Sequence, residues 1–226
     1  MTEAEWLAAT DPEPMLQFVR DKTSDRKLRL FGVACCRRVA RWMTDKRSLH
    51  AVDISEQFAD RIVGKKRLSA ARRDAYLASR DPDGSSPVDR DHTGTSHAAI
   101  VALNISSRPL NEGGDLLWTA SCARSLVAHA VNDDAGGVER QCQVALLYDI
   151  FGNPFRPVAF DPSWRTSTVA ALAEQMYESR DFSPMPVLAD ALQDAGCDNE
   201  DILAHCRGAG PHVRGCWVVD LILGKK

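Results

Sequence analysis

The chain has 226 residues, 44% hydrophobic and 26% charged, with a formal net charge of −3. That length is enough for one large domain or two small ones with a substantial core, and the composition is ordinary for a globular protein. The longest purely apolar runs are a few residues, far short of the roughly 20 needed to cross a bilayer, so no membrane association is expected.

The opening "MTEAEWLAATDPEP" is acidic and lacks the basic-then-apolar order of a signal peptide, which points to the cytoplasm. Seven cysteines, an odd number, fit unpaired thiols in a reducing compartment. Thr2 and Glu5 match a capping box, predicting a short helix from Thr2. In "DPEPMLQFVRDK", Asp11 is the expected N-cap and Pro12 the first helical position. "SDRKLRLFGVACCRRVARWM" reads as the clearest helix, capped by Ser24 or Asp25. Leu28, Phe31, Cys35, Val39 and Trp42 form one apolar stripe, and Leu30 and Val33 imply packing on a second side. Cys35 and Cys36 point about 100° apart and cannot form a C-x-x-C redox pair; one should face the core and the other flank it.

In "DKRSLHAVDISEQFADRIVG", a face of Leu49, Val52, Ser55 or Glu56, Ala59 and Ile62 is expected, ending at Gly64. "KKRLSAARRDAYLASR" is helical by its Ala and Arg content. Residues 20–73 hold 16 Lys and Arg against six Asp and Glu, whereas the remainder of the chain is acidic. The covalent link between the two favours self-pairing of these basic residues. Arg37, Arg38 and Arg41 are the candidate binding residues should they instead face an external polyanion.

"DPDGSSPVDRDHTG" predicts an exposed loop at 81–94. Helices follow near 95–106 and 114–132. His92, His97 and His129 are titratable, but no oriented base–nucleophile pair can be named among them. In "DDAGGVE" the two glycines read as a turn. A helix over "GGVERQCQVALLYDIF" then carries Val138, Cys142, Ala145 and Leu146 on one side. "FGNPFRP" ends it, with Gly152 in a left-handed C-cap and Asn153 extended before Pro154. Arg156 is a candidate for binding a carboxylate or phosphate; Asp149, Asp161 and Asp190 are its candidate partners within the chain.

Four short helices separated by Gly, Pro and Asn close the chain. Cys197, Cys206, His212 and Cys216, with His205 beside them, are zinc-ligand types. They lack the close C-x2-C pair of a zinc ribbon, so the expected reading is a glycine-rich corner: Cys206 and Cys216 face the core, His212 caps the turn, and Trp217 begins a buried face. No segment alternates long enough to predict a strand. The fold expected is all-α, a multi-helix bundle or short helical array, in a single domain spanning 1–226.

Three stretches, "MTEAEWL…DRKLRLFGVACCRR", "LLYDIFGNPFRPV" and "ILAHCR…GPHVRGCWVVDLILGK", resemble a bacterial family of helical proteins with no assigned function. The resemblance covers about residues 1–63 and 139–226. It implies a helical intracellular protein and transfers no catalytic residue.

No phosphate loop, nucleophile elbow or H-E-x-x-H motif is present, so no catalytic residue and no cofactor are assigned from sequence. The expected function is a non-catalytic cytoplasmic interaction or scaffold domain with a protein partner. One alternative is nucleic-acid binding through the basic helices at 20–73. The other is an enzyme with a dispersed His/Arg/Asp site drawing on His97, His129 or Arg156.

Overall fold

The computed structural model describes residues 1–80, 102–106, 115–131 and 133–226. The loop expected at 81–94, with His92, lies outside the described residues, as do His97, most of the helix expected near 95–106, and the side chain of His129. The described residues are helical, with no strand among them. They divide into two compact units. One comprises Met1 and Ala8–Val144, the other Thr2–Leu7 and Ala145–Lys226.

In the first unit, α2 (Pro12–Val19) begins as its sequence dictates: the Asp11 carboxylate accepts the Glu13 backbone N–H, and Pro12 fills the first position, where no donor is needed. Ser24 caps α3 (Asp25–Arg38) through the Lys27 N–H. Leu28 through Cys36 are all buried, so this helix is enclosed rather than amphipathic. Cys35 and Cys36 are both fully buried, a correction to the expectation that only one would face the core. Burial disfavours the thiolate and pushes both thiols well above their ordinary range, so neither is a reactive group at neutral pH.

Arg29 is fully buried too; it donates to Asp25 and to the Ile105 carbonyl. The helix stops at Arg38. Trp42, expected on the apolar stripe, falls in a 3-10 turn (Ala40–Trp42) and is only half-buried.

α4 (Lys46–Ala59) packs between α3 and α5 (Lys65–Arg80). Its inner face is Ala51, Val52, Ile54, Ser55 and Ala59, whereas Leu49 and Ile62 are exposed. The expected face was rotated, and it ran past the helix end at Asp60. α6 (Asp115–Ala130) packs on α3. α7 (Asp133–Phe151) starts three residues before Gly136, so the two glycines expected to form a turn lie inside it. The Gly136 Cβ position is 2.9 Å from the Ala128 Cβ, which shows why a side chain is absent there. Val138, expected on the apolar side of this helix, is exposed.

The second unit opens with α1 (Glu3–Leu7), which carries the expected capping box: the Thr2 N–H donates to Glu5 (2.7 Å) and the Glu5 N–H to Thr2 Oγ1 (3.3 Å). Trp6 is fully buried, donates its indole N–H to the Gly152 carbonyl (3.2 Å) and accepts at its own carbonyl from Tyr148 (2.6 Å).

The last turns of α7 lead to four shorter helices: α8 (Ser167–Ser179), α9 (Met185–Asp194), α10 (Glu200–Arg207) and α11 (Trp217–Leu223). α9 packs against α8 and α10, and α11 against α8. Met176, Leu188, Leu192, Ile202, Val218 and Ile222 anchor their common core. At about 1.5–3 kcal/mol per fully buried aliphatic side chain, these contacts supply the main drive for docking helices too short to be stable alone. The core fixes the end of α10 and the start of α11 relative to one another.

Candidate metal centre

Four side chains in the second unit converge: Asp149 from the last turn of α7, His205 from the last turn of α10, His212 from the connecting loop, and Cys216 at the start of α11. One ligand atom from each lies within 4.8 Å of all the others. Local sequence explains the convergence. α10 is capped by Asn199, whose side chain accepts the Ile202 N–H, and it ends at Gly208. Gly210, at φ +82, and Gly215, at φ +97, allow backbone turns that side chains resist, bringing the loop back towards α10.

Asp149 is buried, and its carboxylate accepts from three donors. Oδ1 meets His212 Nδ1 at 2.8 Å and His205 Nε2 at 3.1 Å; Oδ2 accepts the Val213 backbone N–H at 3.0 Å. His205 Nε2 also lies 3.2 Å from the Cys216 sulfur. The two imidazoles meet edge to face at 4.9 Å, and Trp217 packs against His205 at 5.2 Å.

The electrostatics follow from this packing. Burial raises the Asp149 carboxyl, but hydrogen bonds and charge from His205 and His212 outweigh it and leave the carboxyl below its ordinary range. Burial lowers His212, and the Asp149 carboxylate more than offsets this, so the imidazole holds its proton to a higher pH than usual. The Cys216 thiol, fully buried and beside Asp149, is held neutral well above its ordinary pKa. A neutral buried thiol is not a nucleophile. Moreover, Cys216 and Asp149 meet the same nitrogen of His205, so no thiol–imidazole–carboxylate relay through opposite ring nitrogens exists.

The donor set fits a zinc-class ion. Tetrahedral zinc, with bonds of about 2.0–2.3 Å, holds its donors roughly 3.3–3.6 Å apart. The close pairs at 2.8–3.2 Å lie inside that spacing and the widest, at up to 4.8 Å, outside it, so an ion would draw the four donors together through small side-chain shifts. His212 Nε2 donates to the Gly208 carbonyl at 3.3 Å. With an acceptor oxygen at each ring nitrogen, the protonated imidazole donates through both; a bound ion would take the place of the Nδ1 proton, and the Gly208 carbonyl would go on holding the Nε2–H. A backbone carbonyl orienting a ligating histidine in this way is the usual outer-shell arrangement of protein metal sites.

Of the residues suggested by sequence, His205, His212 and Cys216 are in the cluster. Cys197 and Cys206 lie in the hydrophobic core, where burial pushes Cys206 up to about 12. Asp149, considered from sequence only as a partner for Arg156, is the hub that completes the set. The signal for Asp149 was its place as the one charge in the apolar run "VALLYDIFG", where an ionised carboxylate needs buried partners. Arg156 is exposed and pairs with Glu3 (2.5 Å), not with Asp149, Asp161 or Asp190. Trp217, expected buried, is half-buried against His205.

Elsewhere, Arg37 pairs with Asp53 (3.0 Å) and Glu56 (2.9 Å), Arg38 with Glu139 (2.9 Å), and Arg41 stacks on Trp42 at 3.9 Å. The expectation of a non-catalytic scaffold rested on the apparent lack of a gathered polar site. The Asp149–His205–His212–Cys216 cluster overturns it. No helix among the described residues is long and apolar enough to cross a membrane. In comparisons with known proteins the chain matches no protein-family model, no curated protein and no solved structure.

Proposed function

We propose that this protein is a metalloprotein that holds one zinc-class divalent ion between Asp149, His205, His212 and Cys216. The observation that carries the reading is the convergence of one sulfur, two imidazoles and one carboxylate within 4.8 Å, drawn from three helices and a loop. Mixed sulfur, nitrogen and oxygen donors in that number suit zinc in preference to magnesium or calcium, which take oxygen ligands.

A catalytic use of the ion is favoured by one feature. Asp149 already spends Oδ2 on the Val213 N–H and shares Oδ1 between the two histidines. An ion bound by His205 Nε2, His212 Nδ1 and Cys216 would release Oδ1 from both histidines while Oδ2 keeps the Val213 N–H; Oδ1 is then the fourth ligand or, where water displaces it, the proton acceptor beside that water. Three protein ligands and one water is the pattern of catalytic zinc. The chemistry supplied by the ion would be polarisation of a bound water or carbonyl. The residues of the chain would orient the histidines, keep the sulfur side dry and take up the proton at Asp149.

The test is cobalt(II) substitution. Binding should give a thiolate-to-cobalt charge-transfer band that is lost in Cys216→Ala, with intense visible bands of four-coordinate cobalt. If azide perturbs those bands, the fourth position exchanges with solvent; if it does not, all four side chains ligate and the centre is structural. Absence of both sets of bands at saturating cobalt would refute the metal reading.

A further inference from the structure

A second feature, independent of the metal centre, lies on α5 of the first unit. Its buried residues Leu68, Ala71, Ala75 and Ala78 define one side of the helix. At about 100° per residue, the opposite pole carries Lys66, Arg73 and Arg80. All three are exposed, as are Arg72 and Tyr76 on the flank. Asp74, the helix's single acid, lies about 100° away from that pole. The three pole residues recur every seven positions, so their charges are spaced about 10.5 Å apart along roughly 21 Å of helix. Among the described residues, Lys66, Arg72 and Arg73 make no ion pair; the arginines of α3 differ, since Arg37 and Arg38 are held by carboxylates of the same unit. Arg80 lies over the Tyr76 ring at 5.5 Å and donates to its hydroxyl at 2.5 Å, which holds a guanidinium and an aromatic ring together at the surface. Lys65, Lys66, Ser69, Ala70 and Arg73 line an open depression of about 320 Å³.

We infer that the outer face of α5 binds double-helical nucleic acid, with Lys66, Arg73 and Arg80 contacting phosphates and Arg72 and Tyr76 flanking them. Charge complementarity selects the partner. A duplex presents about one negative charge per 1.7 Å of its axis, a regular polyanion that a straight row of cations can follow along its whole length. Guanidinium groups match phosphate geometry through paired N–H donors. A single exposed helix also has the width that a DNA major groove of about 12 Å admits. The contacts are to backbone phosphates, so the binding is expected to be largely independent of sequence.

The test uses the full chain with a fluorescent 20-base-pair DNA duplex and its RNA counterpart at 50 and 200 mM salt, read by anisotropy. The expected result is micromolar or tighter binding at 50 mM to at least one duplex. With three to four phosphate contacts, affinity should fall roughly 40- to 150-fold over that fourfold rise in salt. The variant Lys66→Gln/Arg73→Gln/Arg80→Gln should bind at least tenfold more weakly while its circular dichroism stays at the wild-type value. The single variant Arg73→Gln gives the same readout at a few-fold loss should the triple variant fail to fold. Lys46→Gln/Lys226→Gln, which removes charge elsewhere, should change binding less than twofold. No binding to either duplex at 50 mM would overturn the inference, as would equal loss in the control variant. Poly-glutamate bound as tightly as the duplexes would overturn it in favour of an acidic protein partner.

Discussion

Replacing Cys216 by alanine separates a metal centre from a buried corner, because the two accounts assign the sulfur different energies. In the metal-free protein Cys216 is a small, fully buried side chain in the core of the second unit. Removing its sulfur there should cost on the order of 1 kcal/mol. With zinc at about a thousand times its Kd, the wild-type protein should gain about 4.1 kcal/mol from linkage. For a chain of this size that gain raises Tm by roughly 8–16 °C, at about 2–4 °C per kcal/mol. Losing one ligand should weaken binding by at least about 100-fold, judging from the 10- to 100-fold effects of outer-shell substitutions alone. At the same zinc concentration the variant would then gain only about 1.4 kcal/mol. Differential scanning fluorimetry of both proteins, with and without zinc after chelator treatment, reads the difference directly. Equal melting temperatures of the wild type with and without zinc would refute the reasoning, and so would an undiminished zinc shift in Cys216→Ala.

Other expectations follow from the same geometry. Asp149→Asn removes the charge that three donors surround, so the metal-free protein should lose about 3–5 kcal/mol, measured by urea denaturation; a loss below about 1 kcal/mol would mean the carboxylate is not ionised there. Because His212 holds its proton to a higher pH than usual, its contribution to metal-free stability should be complete below about pH 6.5 and fade as pH rises through the raised folded value. Asp149 acts in the opposite sense, contributing above about pH 4 and losing its effect as pH falls through its lowered folded value. Zinc must displace the Cys216 proton and, at lower pH, the His212 proton, so calorimetric affinity should rise about 10- to 100-fold per pH unit through the neutral range. Gly152→Ala places a Cβ within 3.2–3.3 Å of the Trp217 ring at φ +60, and thermal unfolding should show a loss of about 1–2 kcal/mol or more.

The helical class was legible because capping residues and apolar spacing are local signals. Thr2 with Glu5, Asp11 with Pro12, and Ser24 each act where their side chains reach the next turn. Faces were less legible. α3 is buried on nearly every side, so the apolar stripe of "KLRLFGVACC" is only part of what it hides, and Arg29 is buried with partners that no local spacing announces. Leu49 and Ile62 were placed inward by a regular period, which α4 does not sustain beyond Asp60. At the site, the glycine-rich turn and the donors His212 and Cys216 could be read within one short stretch. Asp149 could not be joined to them, because 63 residues separate it from His212 and only the packing of the second unit brings them together. The missing C-x2-C pair argued against metal for ligands supplied by one hairpin; it says little about ligands supplied by three helices and a loop.

The central claim is that four side chains hold one metal ion, and elemental analysis of the intact chain tests it most directly. After equilibration with zinc and removal of unbound metal, the wild-type protein should contain about one zinc per chain. His205→Ala/His212→Ala, confirmed folded by circular dichroism, should contain about a tenth of that or less. A wild-type protein that retains no zinc, or a double variant that retains as much as the wild type, would contradict the account.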